Sequence, residues 1–131
     1  MVQEYAMPEP APTGASTEAT TLGKAVTRAA ELLGLSQQSL ATVLGVSRPT
    51  VTRLVHGRYA LSRHRAHEWE MATLFVRLFR SIDALIGHGE TARTWLGGPN
   101  TDLGARPVDL ILSAEGLVRV LHYLDAHRGR I

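Results

Sequence analysis

Residues 36–57 read SQQSLATVLGVSRPTVTRLVHG, the spacing of two short helices joined by a tight turn. Ser36 is a good helix N-cap, so a helix is expected over Gln37–Leu44 with Leu40, Val43 and Leu44 facing inward. Gly45 follows and permits the positive φ of a sharp turn. Ser47 caps a second helix, and Pro49 sits in its first turn, where a missing N–H costs nothing. Val51, Leu54 and Val55 form its inner face, and Gly57 ends it. Ala41 is small, as it must be where the two helices cross closely. An Ala-x-x-x-Gly pair alone is a weak signal. Joined to two caps, Val51, Leu54 and Gly57, it specifies a helix-turn-helix.

Working outward, Leu22, Val26, Ala29, Ala30 and Leu33 recur at helical spacing until Gly34. Residues 1–20 are rich in Pro, Ala, Thr and Glu and read as a flexible tail. Downstream, residues 68–86 form a longer apolar helix carrying Met71, Leu74, Phe75, Leu78, Phe79, Ile82 and Leu85. Turn signals follow at Gly87, Gly89, GGPN (97–100), Gly104 and Arg106-Pro107. Ser113 caps a last helix with Leu117, Val120, Leu121 and Leu124 on one face. Alternating strand patterns are scarce, so the chain reads as all-α. The expected division is a tail (1–20), a helix-turn-helix bundle with its following helix (21–80) and a small helical domain (81–131). A chain ending at Arg80 is then expected to keep the fold of the first unit.

The chain has 131 residues, 44% of them apolar, and no cysteine. Disulfides, zinc–cysteine sites and thiol catalysis are excluded, and a reducing cytoplasm is compatible. No apolar run is long enough to span a membrane, and the first residues lack the features of a secretory signal. Net charge is only +2 but uneven. Residues 21–65 hold Lys24, Arg28, Arg48, Arg53, Arg58, Arg63 and Arg65 against Glu31 alone. The two flanks are net negative. A basic block of this kind suits a phosphate backbone.

With the second helix of the motif in a DNA major groove, its N-terminal outward residues meet the bases: Arg48, Pro49, Thr52 and Arg53. Each Arg can offer two parallel donors to guanine O6 and N7, while Pro49 gives apolar contact only. Gln37 is placed to hold a phosphate with its helix N-terminus, and Ser47, Thr50, Arg58 and Arg63 are further phosphate candidates. A single motif reads few base pairs, so a homodimer on two half-sites is expected. Phe75, Leu78, Phe79 and Ile82, on a helix with more apolar face than one small core needs, are the expected interface.

Residues 22 to about 65 resemble the DNA-binding domain of phage-repressor-like, Xre-type regulators. Residues 95–124 read WLGGPNTDLGARPVDLILSAEGLVRVLHYL. Through Trp95-Leu96, Pro99-Asn100, Leu103-Gly104, Arg106-Pro107, Asp109-Leu110 and Glu115-Gly116-Leu117, this stretch resembles the toxin-binding domain of the Xre/MbcA/ParS antitoxin family. That resemblance implies a type II antitoxin whose partner is a RES-domain toxin that consumes NAD, and whose operon it represses. Trp95, Asn100, Arg106, Arg128, Arg130 and Ile131 are the candidate toxin-binding residues. Arg106 is expected to pair with Asp102 or Asp109. The end, Arg128-Gly129-Arg130-Ile131, reads either as a frayed terminus or as a basic segment entering a pocket meant for the NAD pyrophosphate.

Other classes are weaker. His64 and His67 have a metal-compatible spacing without a third ligand close in sequence, so no metal is expected. No nucleophile elbow or phosphate-cradling glycine loop is present, so neither catalysis nor a cofactor is expected. A plain dimeric repressor with a C-terminal dimerisation domain is the alternative to an antitoxin, and an adaptor without DNA binding is the third reading.

Overall fold

A computed structural model describes residues 16–129. The order is α1 (Thr17–Leu33), α2 (Gln37–Leu44), α3 (Arg48–Val55), α4 (Ala66–Ile86), α5 (Glu90–Gly97), α6 (Pro107–Leu110) and α7 (Ala114–Arg128), with no strand among the described residues. Most of the expected tail, residues 1–15, lies outside the described residues. Residues 17–20 instead form the first turn of α1, because Ser16 accepts a hydrogen bond from the Ala19 N–H at 2.9 Å and Ala19 is buried. The helix therefore starts five residues before the apolar repeat that announced it.

Serine caps recur. Ser36, Ser47 and Ser113 accept from the N–H groups of Ser39 (3.0 Å), Thr50 (3.2 Å) and Gly116 (3.0 Å). Each such cap contributes about 1 kcal/mol relative to alanine. Gly45 adopts φ +75°, and an added Cβ there would approach His67 Cδ2 to 3.0 Å. The α2–α3 turn is thus closed both by backbone conformation and by the start of α4.

α4 is the spine. It packs most extensively against α7 and α1 and also meets α2 and α5. Phe75, Leu78 and Ile82 are fully buried. These three were expected at a two-fold interface, and that expectation is corrected: their apolar face is covered within the protomer, by helices from both halves of the sequence. Phe79 is only half-buried. One continuous core joins Val26, Leu44 and Val51 to Leu103, Leu117 and Leu124. The expected boundary at 80/81 falls inside α4. A further tie crosses it: Arg93 of α5 donates to the Leu32 carbonyl at the end of α1, 3.1 Å away.

Two exposed contacts fasten the start of α1. Arg63 forms a two-point pair with Glu18 (2.6 and 3.0 Å) and lies over the Trp69 ring at 4.9 Å. The hydrogen bond from Arg63 holds the Glu18 carboxyl below its ordinary range. A carboxylate depressed in the folded state stabilises above its unfolded pKa, so this clamp is complete at neutral pH and is lost on acidification.

α6 and α7 meet through backbone. A Cβ on Gly116 would stand 1.9 Å from the Leu110 carbonyl oxygen. Gly116→Ala should therefore destabilise the chain by about 3 kcal/mol, measured by chemical denaturation, because backbone rather than a flexible side chain must move. A chain ending at Arg80 would expose Phe75 and Leu78. It should show no cooperative thermal transition by circular dichroism, contrary to the expectation from sequence.

Candidate functional site

α3 presents one shallow open surface lined by Arg48, Pro49, Thr52 and Arg53. Arg48, Pro49 and Arg53 are exposed, and Thr52 is half-buried. All four expected base-facing residues therefore share one face. Its rigidity has identifiable causes. Thr52 Oγ1 donates to Gln37 Oε1 at 2.7 Å, tying α3 to the first residue of α2. The donor half of that amide is the part left for a phosphate. Ser47 and Thr50 hydroxyls lie 2.8 Å apart, beside the cap bond they already make. Arg58 is exposed in the turn after α3, whereas Arg63 is drawn away to Glu18 on α1.

Behind Arg53 stands a cluster that the sequence reading missed. Arg53 Nη2 donates to Thr50 Oγ1 at 3.1 Å, and its Cζ lies 5.8 Å from the centroid of the Tyr59 ring. Arg65 approaches the same ring to 4.9 Å. Tyr59 OH donates to Glu68 Oε1 at 2.6 Å, and Arg65 pairs with Glu68 at 3.3 Å. Burial, followed by the hydrogen bond to Glu68, raises the Tyr59 pKa, so the phenol keeps its proton. The available signal was an aromatic residue set among Arg53, Arg58, Arg63 and Arg65.

The C-terminal candidates are drawn into internal contacts. Trp95 is half-buried and stacks on Tyr123, with centroids 6.5 Å apart at 17°. Tyr123 in turn lies 4.3 Å from the His127 ring and donates its hydroxyl to Asp102 at 2.9 Å. Asn100 Oδ1 accepts from the Leu103 N–H at 3.0 Å, closing the turn after α5. Arg106 grips Asp109 through two bonds, at 2.9 and 3.2 Å, so the expected ion pair is with Asp109 rather than Asp102. Both partners are exposed, and such a pair contributes about 0–1 kcal/mol.

Arg128 donates to Ser81 Oγ at 3.0 Å. Ser81 is buried and donates to Asp125 Oδ1 at 3.2 Å, and Arg77 lies 3.7 Å from the same carboxylate. Arg128 is thereby anchored to α4. Arg130 and Ile131 lie outside the described residues. Among the described residues, no group of three or more potential ligands is placed to hold a metal, and no helix is long and apolar enough to cross a membrane.

Comparison with known proteins adds the lineage. No curated protein is significantly similar. One chain of the crystal structure of the M. tuberculosis MbcT–MbcA toxin–antitoxin complex shares the fold, with a TM-score of 0.59 and 24% identity over 80% of this chain and 91% of that one. The model of the antitoxin Xre-like helix-turn-helix domain matches residues 13–77, and that of the antitoxin Xre/MbcA/ParS C-terminal toxin-binding domain matches residues 81–130. Matched in tandem by these two domains, the chain belongs to the Xre/MbcA/ParS antitoxin family.

Proposed function

We propose that this chain is a cytoplasmic type II antitoxin that neutralises a RES-domain, NAD-consuming toxin and represses its own operon. The observation that carries the reading is the tandem of the two family matches on one chain. The MbcT–MbcA assembly, a toxin with its antitoxin, supports the same kind of partnership here.

On DNA, Arg48 and Arg53 read bases, Pro49 and Thr52 shape the contact, and Gln37, Ser47, Thr50 and Arg58 lie along the phosphates. Ser47 contributes there chiefly through the helix N-terminus that it caps, and Thr50 through the hydroxyl beside that cap. Two copies on one operator read half-sites about one helical turn apart. Their interface lies outside the Phe75, Leu78 and Ile82 seam.

On the toxin, the folded surface bearing Trp95, Asn100 and Arg106 carries binding, and the end of the chain carries inhibition. With Arg128 held by Ser81, Arg130 and Ile131 are the residues that reach an anion-binding cleft.

The deciding experiment is co-expression with the adjacent gene, which should rescue growth and co-purify the two proteins. A neighbour that neither depletes NAD nor binds the chain would sink the toxin assignment. Arg48→Ala and Arg53→Ala should each cost roughly 1–3 kcal/mol on the operator and relax specificity, whereas Gln37→Ala should weaken all duplexes alike. Unchanged operator binding in both arginine variants would overturn the docking. Removing residues 129–131 should restore NAD loss in cells while the complex still co-purifies. Full protection by that variant would instead assign neutralisation to the folded surface.

A further inference from the structure

The two arginines on the reading face differ in how they are held. Among the described residues, no hydrogen bond, ion pair or ring contact restrains the Arg48 guanidinium. Arg53 is held on two sides: Thr50 Oγ1 accepts from its Nη2 at 3.1 Å, and the Tyr59 ring lies 5.8 Å from its Cζ. Tyr59 is itself fixed by its bond to Glu68 in the first turn of α4 and packs against the core. A row of contacts therefore runs from the N-cap of α3, through Ser47, Thr50 and Arg53, to Tyr59, Glu68 and the spine helix.

A planar guanidinium reads guanine through two parallel N–H bonds, and that geometry tolerates little rotation. An exposed arginine samples many rotamers, and ordering one side chain at an interface carries an entropic cost. A ring face lowers that cost by keeping the guanidinium near one orientation before DNA arrives.

We propose that Tyr59 is a positioning residue for DNA reading, presenting Arg53 in one orientation and so setting base discrimination at the position Arg53 meets. This rests on the DNA reading above and extends it: Arg53 is a preorganised reader and Arg48 an adaptable one. Tyr59 touches no base. Its effect passes wholly through Arg53.

The test uses the full chain and duplexes that it selects from a random-sequence pool. The readout is the ratio of affinity for a selected duplex to that for a scrambled one. Tyr59→Leu should lower the ratio roughly two- to five-fold, the worth of an exposed cation–ring contact. Tyr59→Phe keeps the ring but loses the bond to Glu68, and its ratio should lie between those of the parent and Tyr59→Leu. In an Arg53→Ala background, Tyr59→Leu should change nothing further. Tyr59→Met replaces leucine should that variant not fold.

A second readout needs no DNA. In the uncomplexed protein, the Arg53 Nε–H order parameter from 15N relaxation should exceed that of Arg48 and fall to its level in the ring-less variant. A parental ratio in the ring-less variant, an equal loss in the Arg53→Ala background, or an unchanged Arg53 order parameter overturns the proposal. A pool that never converges, or an Arg53→Ala chain that discriminates like the parent, overturns the DNA reading and the proposal with it. The Nε–H measurement tells these failures apart.

Discussion

The structure depends on one constraint, that α4 has more apolar face than any single neighbour can cover. Phe75, Leu78 and Ile82 are fully buried on a helix that packs against α1 and α2 from one half of the sequence and α7 from the other. Fully burying side chains of this size contributes about 1.5–3 kcal/mol each, so neither half of the chain can give up its share without exposing the other's. The short helices are placed by this arrangement. α2 rests on α4, α3 rests on α2, and Gly45 lets the turn between them close over His67.

Much of this was legible in the residues. Local rules decide the bounds of α2, α3 and α7, since serine caps and glycine stops act within one turn and need no knowledge of the rest. The start of α1 was not legible from periodicity because Thr17, Glu18, Ala19 and Thr20 carry no large apolar group. The signal was the cap at Ser16. The misassigned α4 seam has a different cause. An apolar stripe states how much surface must be covered but not by what, and a second protomer and α7 satisfy the same pattern.

The candidate site divides in the same way. Arg48, Pro49, Thr52 and Arg53 share a face because helix geometry alone puts them there. Their restraints could not be read, because Gln37 and Thr52 are fifteen residues apart and Tyr59 meets Glu68 across the α3–α4 turn. Arg106 and Asp109, three residues apart, were within reach of local reasoning, whereas the bond between Arg128 and Ser81 spans forty-seven positions. Long-range polar contacts depend on where the packed helices bring their surfaces, and that is settled by the core.

The bond from Arg93 to the Leu32 carbonyl, with the unbroken core beneath it, bears on how the chain is destroyed. A protease that cuts only opened segments finds few subglobal openings in a body whose two ends share one interior, so cleavage follows the rare global excursion. Anything that binds the native state makes that excursion rarer, wherever it binds. Any ligand held on α7 would thus lengthen the lifetime of α3, and any held on α3 would lengthen that of α7, with no change of shape passing between them. The turnover of either surface would then follow the occupancy of both.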